Sequence, residues 1–166
     1  MELKELSVRD GVEIYEMLQQ IGPDKNAFRN EVHGMSYPQY QQWLEKQSAW
    51  AEGEQLPEGY VRQWTFWLYD GETPVGYAKL RERVTEQSRK FGGNMGLAIA
   101  PAYRGNGYGT ELFRLLIQKA RQMRLPELYS TVEKFNYPSK AVHEKNGGVL
   151  VDENEARWFF RFPTNE

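Results

Sequence analysis

Leu97-Ala98-Ile99-Ala100-Pro101-Ala102-Tyr103-Arg104-Gly105-Asn106-Gly107-Tyr108-Gly109-Thr110 is an apolar, strand-like run that stops at a proline, turns through three alternating glycines and enters a long amphipathic segment. This order suits a bound phosphate. Glycine lets backbone N–H groups turn toward an anion with no Cβ in the way, and the first turn of a helix adds free N–H groups and the positive end of its dipole. Two other nucleotide-binding arrangements share a glycine-rich loop and fail here on spacing. A Walker-type loop needs Lys-Ser/Thr directly after its last glycine, where this chain has Thr110-Glu111. A dinucleotide-binding fold wants Gly-x-Gly-x-x-Gly with an acidic residue about 20 positions on. Gly105, Gly107 and Gly109 are spaced differently, and Glu133, at the end of the next expected strand, comes late.

Composition narrows the setting. A chain of 166 residues fits one domain, 1–166, with one core. A net charge of -2 makes no general basic field, so nucleic acid is not an expected partner. The absence of cysteine removes disulfides, thiol nucleophiles and cysteine zinc sites, and suits a reducing compartment. Met1-Glu2-Leu3-Lys4-Glu5-Leu6 carries charges where a signal peptide is apolar, and no long apolar run follows. The expectation is a cytoplasmic protein with no membrane partner.

Outward from the glycine loop, residues 112–123 place Leu112, Phe113, Leu116, Ile117, Ala120 and Met123 on one helix face, with Pro126 limiting the far end. Residues 107–110 form its expected first turn. Asp70-Gly71 between two apolar runs predicts a hairpin of residues 61–69 and 74–83. Residues 2–8 alternate as a strand, and Asp10 is placed to cap a helix carrying Val12, Ile14, Tyr15, Met17 and Leu18. Residues 22–37, with Gly22-Pro23, Asn26, Asn30 and Gly34, read as a loop or broken helix. A helix follows with Pro38 in its first turn, and residues 85–90 read as an exposed connection. In the strand before the loop, Met95, Leu97 and Ile99 are large while Gly96, Ala98 and Ala100 are small. The small face leaves room for a ligand or for a closely packed neighbour.

Arg104, Gly107 and Gly109 together resemble the Arg/Gln-x-x-Gly-x-Gly/Ala loop of the GNAT superfamily of acyltransferases, position by position. Further segments agree in order. Gly92-Gly93-Asn94-Met95-Gly96 leads into a strand similar to the one that precedes that loop. Residues 136–148 are similar to its Asn-x-x-Ser helix and Lys-x-Gly turn, and residues 157–162 to its last strand. The resemblance is close in the C-terminal part of the chain and holds only in outline over the first sixty residues. It implies an α/β (α+β) fold: a mixed, mostly antiparallel sheet of six to seven strands with helices on both faces. It also implies acetyl-CoA as cosubstrate, no metal and an amine acceptor, with a homodimer paired through residues 158–162 if that strand is an edge rather than internal. The coenzyme A groups implied are the backbone of Leu97, Ala98 and Ile99, the segment Arg104, Gly105, Asn106, Gly107, Tyr108, Gly109 and Thr110, and then Asn136 and Ser139. A non-catalytic acyl-CoA-binding or regulatory domain on the same fold would keep these residues too.

The implied reaction asks for a positioned amine, an acceptor for its surplus proton, a donor to the oxyanion and a proton for the leaving thiolate. A strand N–H near Ile99 suits the oxyanion. Many members carry a tyrosine seven residues after the helix asparagine as the proton donor; counting from Asn136 reaches His143. An imidazolium with a pKa near 6.5 can protonate a thiolate of about 8.5, which makes His143 the catalytic candidate, and a histidine that simply packs on its helix is the alternative. Glu82, Glu86 and Glu133 lie near strand ends without marking a base, and a water chain could serve instead. With His33 as the other histidine, no metal site is expected. Trp43, Trp50, Trp64, Trp67, Tyr37, Tyr40 and Tyr60 read mostly as core, with one or two available to an acceptor pocket that favours cations.

Overall fold

The computed structural model describes residues 1–25 and 28–165, so Asn26 of the expected loop lies outside the described residues. The elements run β1 (Glu2–Glu5), α1 (Val12–Gln20), β2 (Asp24–Lys25), β3 (Phe28–Arg29), α2 (Tyr37–Ala51), β4 (Gln63–Asp70), β5 (Thr73–Arg81), α3 (Glu86–Lys90), β6 (Met95–Ile99), a 3-10 turn (Pro101–Tyr103), α4 (Tyr108–Gln122), β7 (Leu128–Glu133), α5 (Tyr137–Lys145), β8 (Val149–Glu153) and β9 (Arg157–Phe162). Seven strands form two antiparallel sheets in the orders β1-β4-β5-β6 and β7-β9-β8, with β2 and β3 a separate ribbon. The expected central sheet is thus parted in the middle. Strand β9 lies between β7 and β8, so it is internal and β8 is the edge.

Each face of the larger sheet is buried by helices from a different part of the chain. Leu112, Phe113, Leu116 and Ile117 of α4 pack with Phe66, Leu68, Leu80 and Ile99 on one side. On the other, Ile14, Met17 and Leu18 of α1 and Tyr40, Trp43 and Leu44 of α2 pack with Trp67 and Tyr77. Helix α2 begins with a capping box, Ser36 accepting from the Gln39 N–H while the Gln39 side chain returns to Ser36. Two local expectations need correction. Asp10 does not cap α1; its carboxylate accepts from the Ser7 N–H and from Trp67 Nε1 at 2.8 Å each, leaving Gly11 at the cap position without a side-chain bond. Residues 85–90 are not simply a connection, because Thr85 and Ser88 form a capping box that starts α3.

Strands β6 and β7 meet at one end only. The buried Asn94 donates its backbone N–H to Tyr129 O at 2.8 Å, and its side-chain Oδ1 accepts the Tyr129 N–H at 2.9 Å. Its Nδ2 donates to Glu127 O at 2.8 Å and Arg81 O at 3.3 Å. Gly93 allows this approach: a Cβ there would stand 2.0 Å from Tyr129 O, and its φ is +69°. Next along, Ser130 Oγ is 3.5 Å from Met95 O. Contacts 94 to 129 and 95 to 130 advance together, so β6 and β7 run the same way, joined by the α4 crossover. Past this point they separate.

His143 is part of this core and not the imidazolium expected of a proton donor. It is 5% exposed and packs against Phe113, Phe160 and Phe162 with ring centroids 4.7, 5.2 and 5.8 Å away. Nδ1 is 2.7 Å from Ser139 O and Nε2 is 2.9 Å from Ser130 Oγ. Burial depresses its pKa to about 4, partly countered by the bond to the Ser139 carbonyl. The ring is neutral at pH 7.

Two stability measurements check these contacts. Asn94→Leu strands the Tyr129 N–H and two carbonyls in the interior and is expected to cost about 3 kcal/mol in urea unfolding; a loss below about 1 kcal/mol would show that the clamp is dispensable. For His143, the unfolded chain takes up a proton below pH 6.5 and the folded chain only near 4, so stability is full above 6.5 and declines as pH falls toward 4. The advantage of wild type over His143→Gln should therefore shrink by about 3 kcal/mol between pH 7 and pH 4. An advantage independent of pH would contradict the neutral, buried ring.

Candidate functional site

The free edge of β6 is the starting point of the site. Arg81 donates its N–H to Asn94 O and Ala100 its own to Val75 O, both at 2.9 Å, so the even-numbered residues of this strand turn their backbone groups to β5. Antiparallel pairing then points the backbone of Leu97 and Ile99 the other way, toward the gap before β7. Leu97 and Ile99 can offer groups to a ligand. Ala98, expected to do the same, is engaged with Tyr77 of β5 by this alternation, which corrects its assignment.

At the open end of the gap, Pro101 starts the 3-10 turn and the chain reverses into α4. Gly107 is its N-cap with φ +82°, a left-handed conformation that favours glycine, and no side chain caps the helix. The ladder starts at Glu111, whose N–H reaches Gly107 O at 3.1 Å, so the N–H groups of Tyr108, Gly109 and Thr110 have no helical partner. Gly109 has no conformational need to be glycine. A Cβ there would find Ile99 Cγ1 at 3.8 Å and Val142 Cγ2 at 4.0 Å, ordinary contact distances. Alanine would fit and favour the helix by about 1 kcal/mol. The missing side chain leaves bare backbone between β6 and α5.

The remaining loop residues set the shape of this rim. Arg104 Nε donates to Ile99 O at 2.9 Å, which folds the guanidinium against the end of β6 and leaves its Nη groups without a hydrogen-bond partner among the described residues. Gly105, with φ +79°, has open space on its Cβ side. Asn106 braces the turn through Nδ2 to Tyr103 O and Arg104 O at 3.4 and 3.1 Å. The Tyr108 hydroxyl donates to Asp70 at the β4–β5 turn, and that bond raises its pKa. These side chains shape the backbone.

Across the gap stands α5. Asn136 caps it, Oδ1 accepting from the Ser139 N–H at 3.4 Å, and its Nδ2 has no partner among the described residues. The Ser139 carbonyl holds His143. Asn146, read from the sequence only as part of a turn, ties the two helices together: its Nδ2 donates to Thr110 O at 3.2 Å and Val142 O at 2.9 Å. Nothing local in the sequence marks that long-range bond. Residues 97–110 therefore make one continuous rim, and α5 supplies the facing wall.

The acidic candidates do not converge on the gap. Glu82 accepts from the Arg62 N–H at 3.3 Å, Glu133 lies 3.6 Å from Arg157, and Glu86 sits in the first turn of α3. His33 is near the surface, 3.0 Å from Gln19 O. Trp43, Trp50, Trp64, Trp67 and Tyr40 are buried, Tyr37 is half-buried and Tyr60 exposed. The small face of β6 is covered: a Cβ at Gly96 would lie 3.1 Å from the Phe28 ring, which packs edge-on to Tyr77 at 4.8 Å. Among the described residues no three His, Asp or Glu side chains group to hold a metal, and no helix is long and apolar enough to cross a membrane.

Comparison with known proteins gives this geometry a relationship. The profile of the Acetyltransferase (GNAT) family matches residues 14–148. Mycothiol acetyltransferase of Corynebacterium glutamicum is 26% identical over 115 residues, which cover 66% of this chain but only 38% of that protein. Among solved structures, the ribosomal-protein-S5-alanine acetyltransferase of Vibrio fischeri has a TM-score of 0.72 at 13% identity, covering 96% of this chain and 90% of that one. The Campylobacter jejuni N-acetyltransferase PseH, solved with acetyl coenzyme A, has a TM-score of 0.63 at 14% identity over 97% of this chain and 96% of its own. Through the profile match, which spans most of its length, the chain belongs to the GNAT acetyltransferase family.

Proposed function

We propose that the protein binds acetyl-CoA along the free edge of β6 and transfers the acetyl group to a primary amine of a small molecule, peptide or protein, by direct attack in a ternary complex. The observation that carries this reading is the bare first turn of α4 beside an unpaired strand edge. The N–H groups of Tyr108, Gly109 and Thr110 converge as an anion cradle, and the Arg104 Nη groups add positive charge. The Ile99 N–H and the Leu97 backbone groups offer strand-like pairing to an extended amide-bearing arm, the Ile99 carbonyl already accepting from Arg104, and the Asn136 Nδ2 is a donor from the facing wall.

Acetyl-CoA supplies an acyl carbon already activated as a thioester, so the chain's own contribution is largely placement. A β6 N–H directed into the gap can stabilise the oxygen on which charge develops as the amine attacks. The absence of cysteine fits an acyl group that passes directly to the amine and not through a protein thiol.

Acetyl-CoA at about 100 times its Kd should add about 2.7 kcal/mol of stability, a rise in Tm of roughly 5–10 °C for a chain of this size. Gly109→Glu keeps α4 foldable but puts a carboxylate in the cradle, and should abolish that rise with little change in the unliganded Tm. A screen of amine acceptors that detects released CoA tests transfer itself. No stabilisation of wild type, and no difference between wild type and Gly109→Glu, would remove the ligand assignment.

A further inference from the structure

We propose that the acceptor amine carries a carboxylate and that Arg81, on β5, is the residue that binds it. This deepens the acetyl-transfer reading and rests on it. Arg81 Nη1 donates to Gly93 O at 3.3 Å, and its Nε and Nη2 have no hydrogen-bond partner among the described residues. Those two N–H groups make the edge of a guanidinium that matches both oxygens of a carboxylate. The same edge of Arg114 holds Glu111 at 2.9 and 2.7 Å; at Arg81 it is unused.

Among the described residues no carboxylate is placed to fill that edge. Directly across on β4 is Gln63, whose Nε2 donates to Gln47 Oε1 at 3.2 Å, and across on β6 is Asn94, already bonded to Tyr129 and Glu127. Both are neutral amides. Glu82, next in the chain, accepts from the Arg62 N–H, Glu31 pairs with Lys46 at 3.4 Å, and Glu133 lies 3.6 Å from Arg157. The groups that act electrostatically on Arg81 are the Tyr77 and Tyr60 hydroxyls, and burial holds its pKa below the ordinary arginine value. A partly desolvated cation with no counter-ion is unfavourable, and a ligand's carboxylate removes that cost. Arg81 is only half-buried, and open space lies on the Cβ side of Gly92, next to the Gly93 to which it is bonded.

Register ties this cation to the reaction. Lys79 is opposite Gly96 and Leu80 opposite Met95, so Arg81 shares its face of the sheet with Lys79, Gly96 and Ala98. Lys79 is committed, lying over the Phe28 and Tyr77 rings and bonded to Arg29 O. Leu97 is the gap-facing residue nearest the closed end, where an arm anchored at the α4 cradle and running back along β6 brings its acyl group. Arg81 reaches Gly93, four residues before Leu97, a separation of about 13 Å of extended strand. The carboxylate hydrogen bond at one end and the amine attack at the other take about 3 Å each. About 7 Å is left, the length of two extended residues. The acceptor class is therefore a dipeptide or an ω-amino acid of about six carbons, and not a free α-amino acid, whose amine and carboxylate are too close. One guanidinium offsets the single charge of a carboxylate, whereas a phosphate monoester carries up to about two.

The test measures kcat/KM by CoA release for 6-aminohexanoate, glycylglycine and glycine, and for n-hexylamine and glycylglycinamide as neutral counterparts of the first two. Wild type should favour each longer carboxylate over its neutral counterpart by about 30-fold, with glycine a poor acceptor. Arg81→Gln should bring that ratio to about 1, and Arg81→Lys, which keeps the charge without the two-donor edge, should restore only part of it. Each ratio is taken within one preparation, so a smaller folded fraction cancels. Wild-type ratios below about threefold, glycine as good an acceptor as 6-aminohexanoate, or an unchanged ratio in Arg81→Gln would overturn the assignment and leave acetyl transfer standing. Acetyl-CoA that stabilises wild type without CoA release to any of these acceptors would overturn it as well. No stabilisation and no release would remove the acetyl-transfer reading with it.

Discussion

The organising constraint in this protein is that two neighbouring strands are held together at one end and denied each other everywhere else. Asn94 does the holding: its backbone and side chain together make five bonds to Tyr129, Glu127 and Arg81, so an amide side chain stands in for the ladder. Buried backbone groups need partners. Parting β6 from β7 leaves the Leu97 and Ile99 edge short of them, and that shortage is what a ligand with its own amides can fill. Arg104 already takes Ile99 O, which suggests why an arginine follows this strand: it closes one orphan carbonyl and presents its remaining donors at the rim.

Much of this was legible in local sequence. The Asp70-Gly71 turn between apolar runs is the β4–β5 hairpin, and the three- and four-residue spacing of Leu112, Phe113, Leu116 and Ile117 is the buried face of α4. The glycine spacing located the turn before that helix, because positive φ and helix entry are properties of adjacent residues. What was not legible depends on residues far apart. Asp10 has the composition of a cap, but Trp67, distant in sequence, competes for its carboxylate and wins. Asn94 and Asn146 are ordinary turn residues until β7 and α4 are brought beside them. The parting of the sheet has no sequence period of its own.

His143 shows where counting and chemistry diverge. Counting from Asn136 reaches His143 on α5, the helix that Asn136 caps. Protonation, however, is set by surroundings, and three phenylalanines contributed by α4 and β9 make those apolar. A histidine in water is an acid near neutrality; the same ring in this core is a hydrogen-bond acceptor with a fixed tautomer. Its Nε2 lies 2.9 Å from the buried Ser130 Oγ, a contact that no pattern singled out, because a lone serine in a strand resembles any other.

The α4 entry also carries a cost that the rest of the fold offsets. The first turn of α4 has no side-chain cap, Gly109 forgoes the helix preference that alanine would bring, and two loop glycines sit at positive φ. A cap is worth about 1 kcal/mol and the Gly109 choice about as much. Both deficits fall at one helix end, where a bound anion would satisfy the same N–H groups a cap would have used. Below that end, Leu112 and Phe113 are buried and Asn146 bonds across to α5, so the weak turn stands on a firm base. Local stability given up at the rim and secured one turn deeper is what lets a small fold keep a backbone surface bare without losing its position.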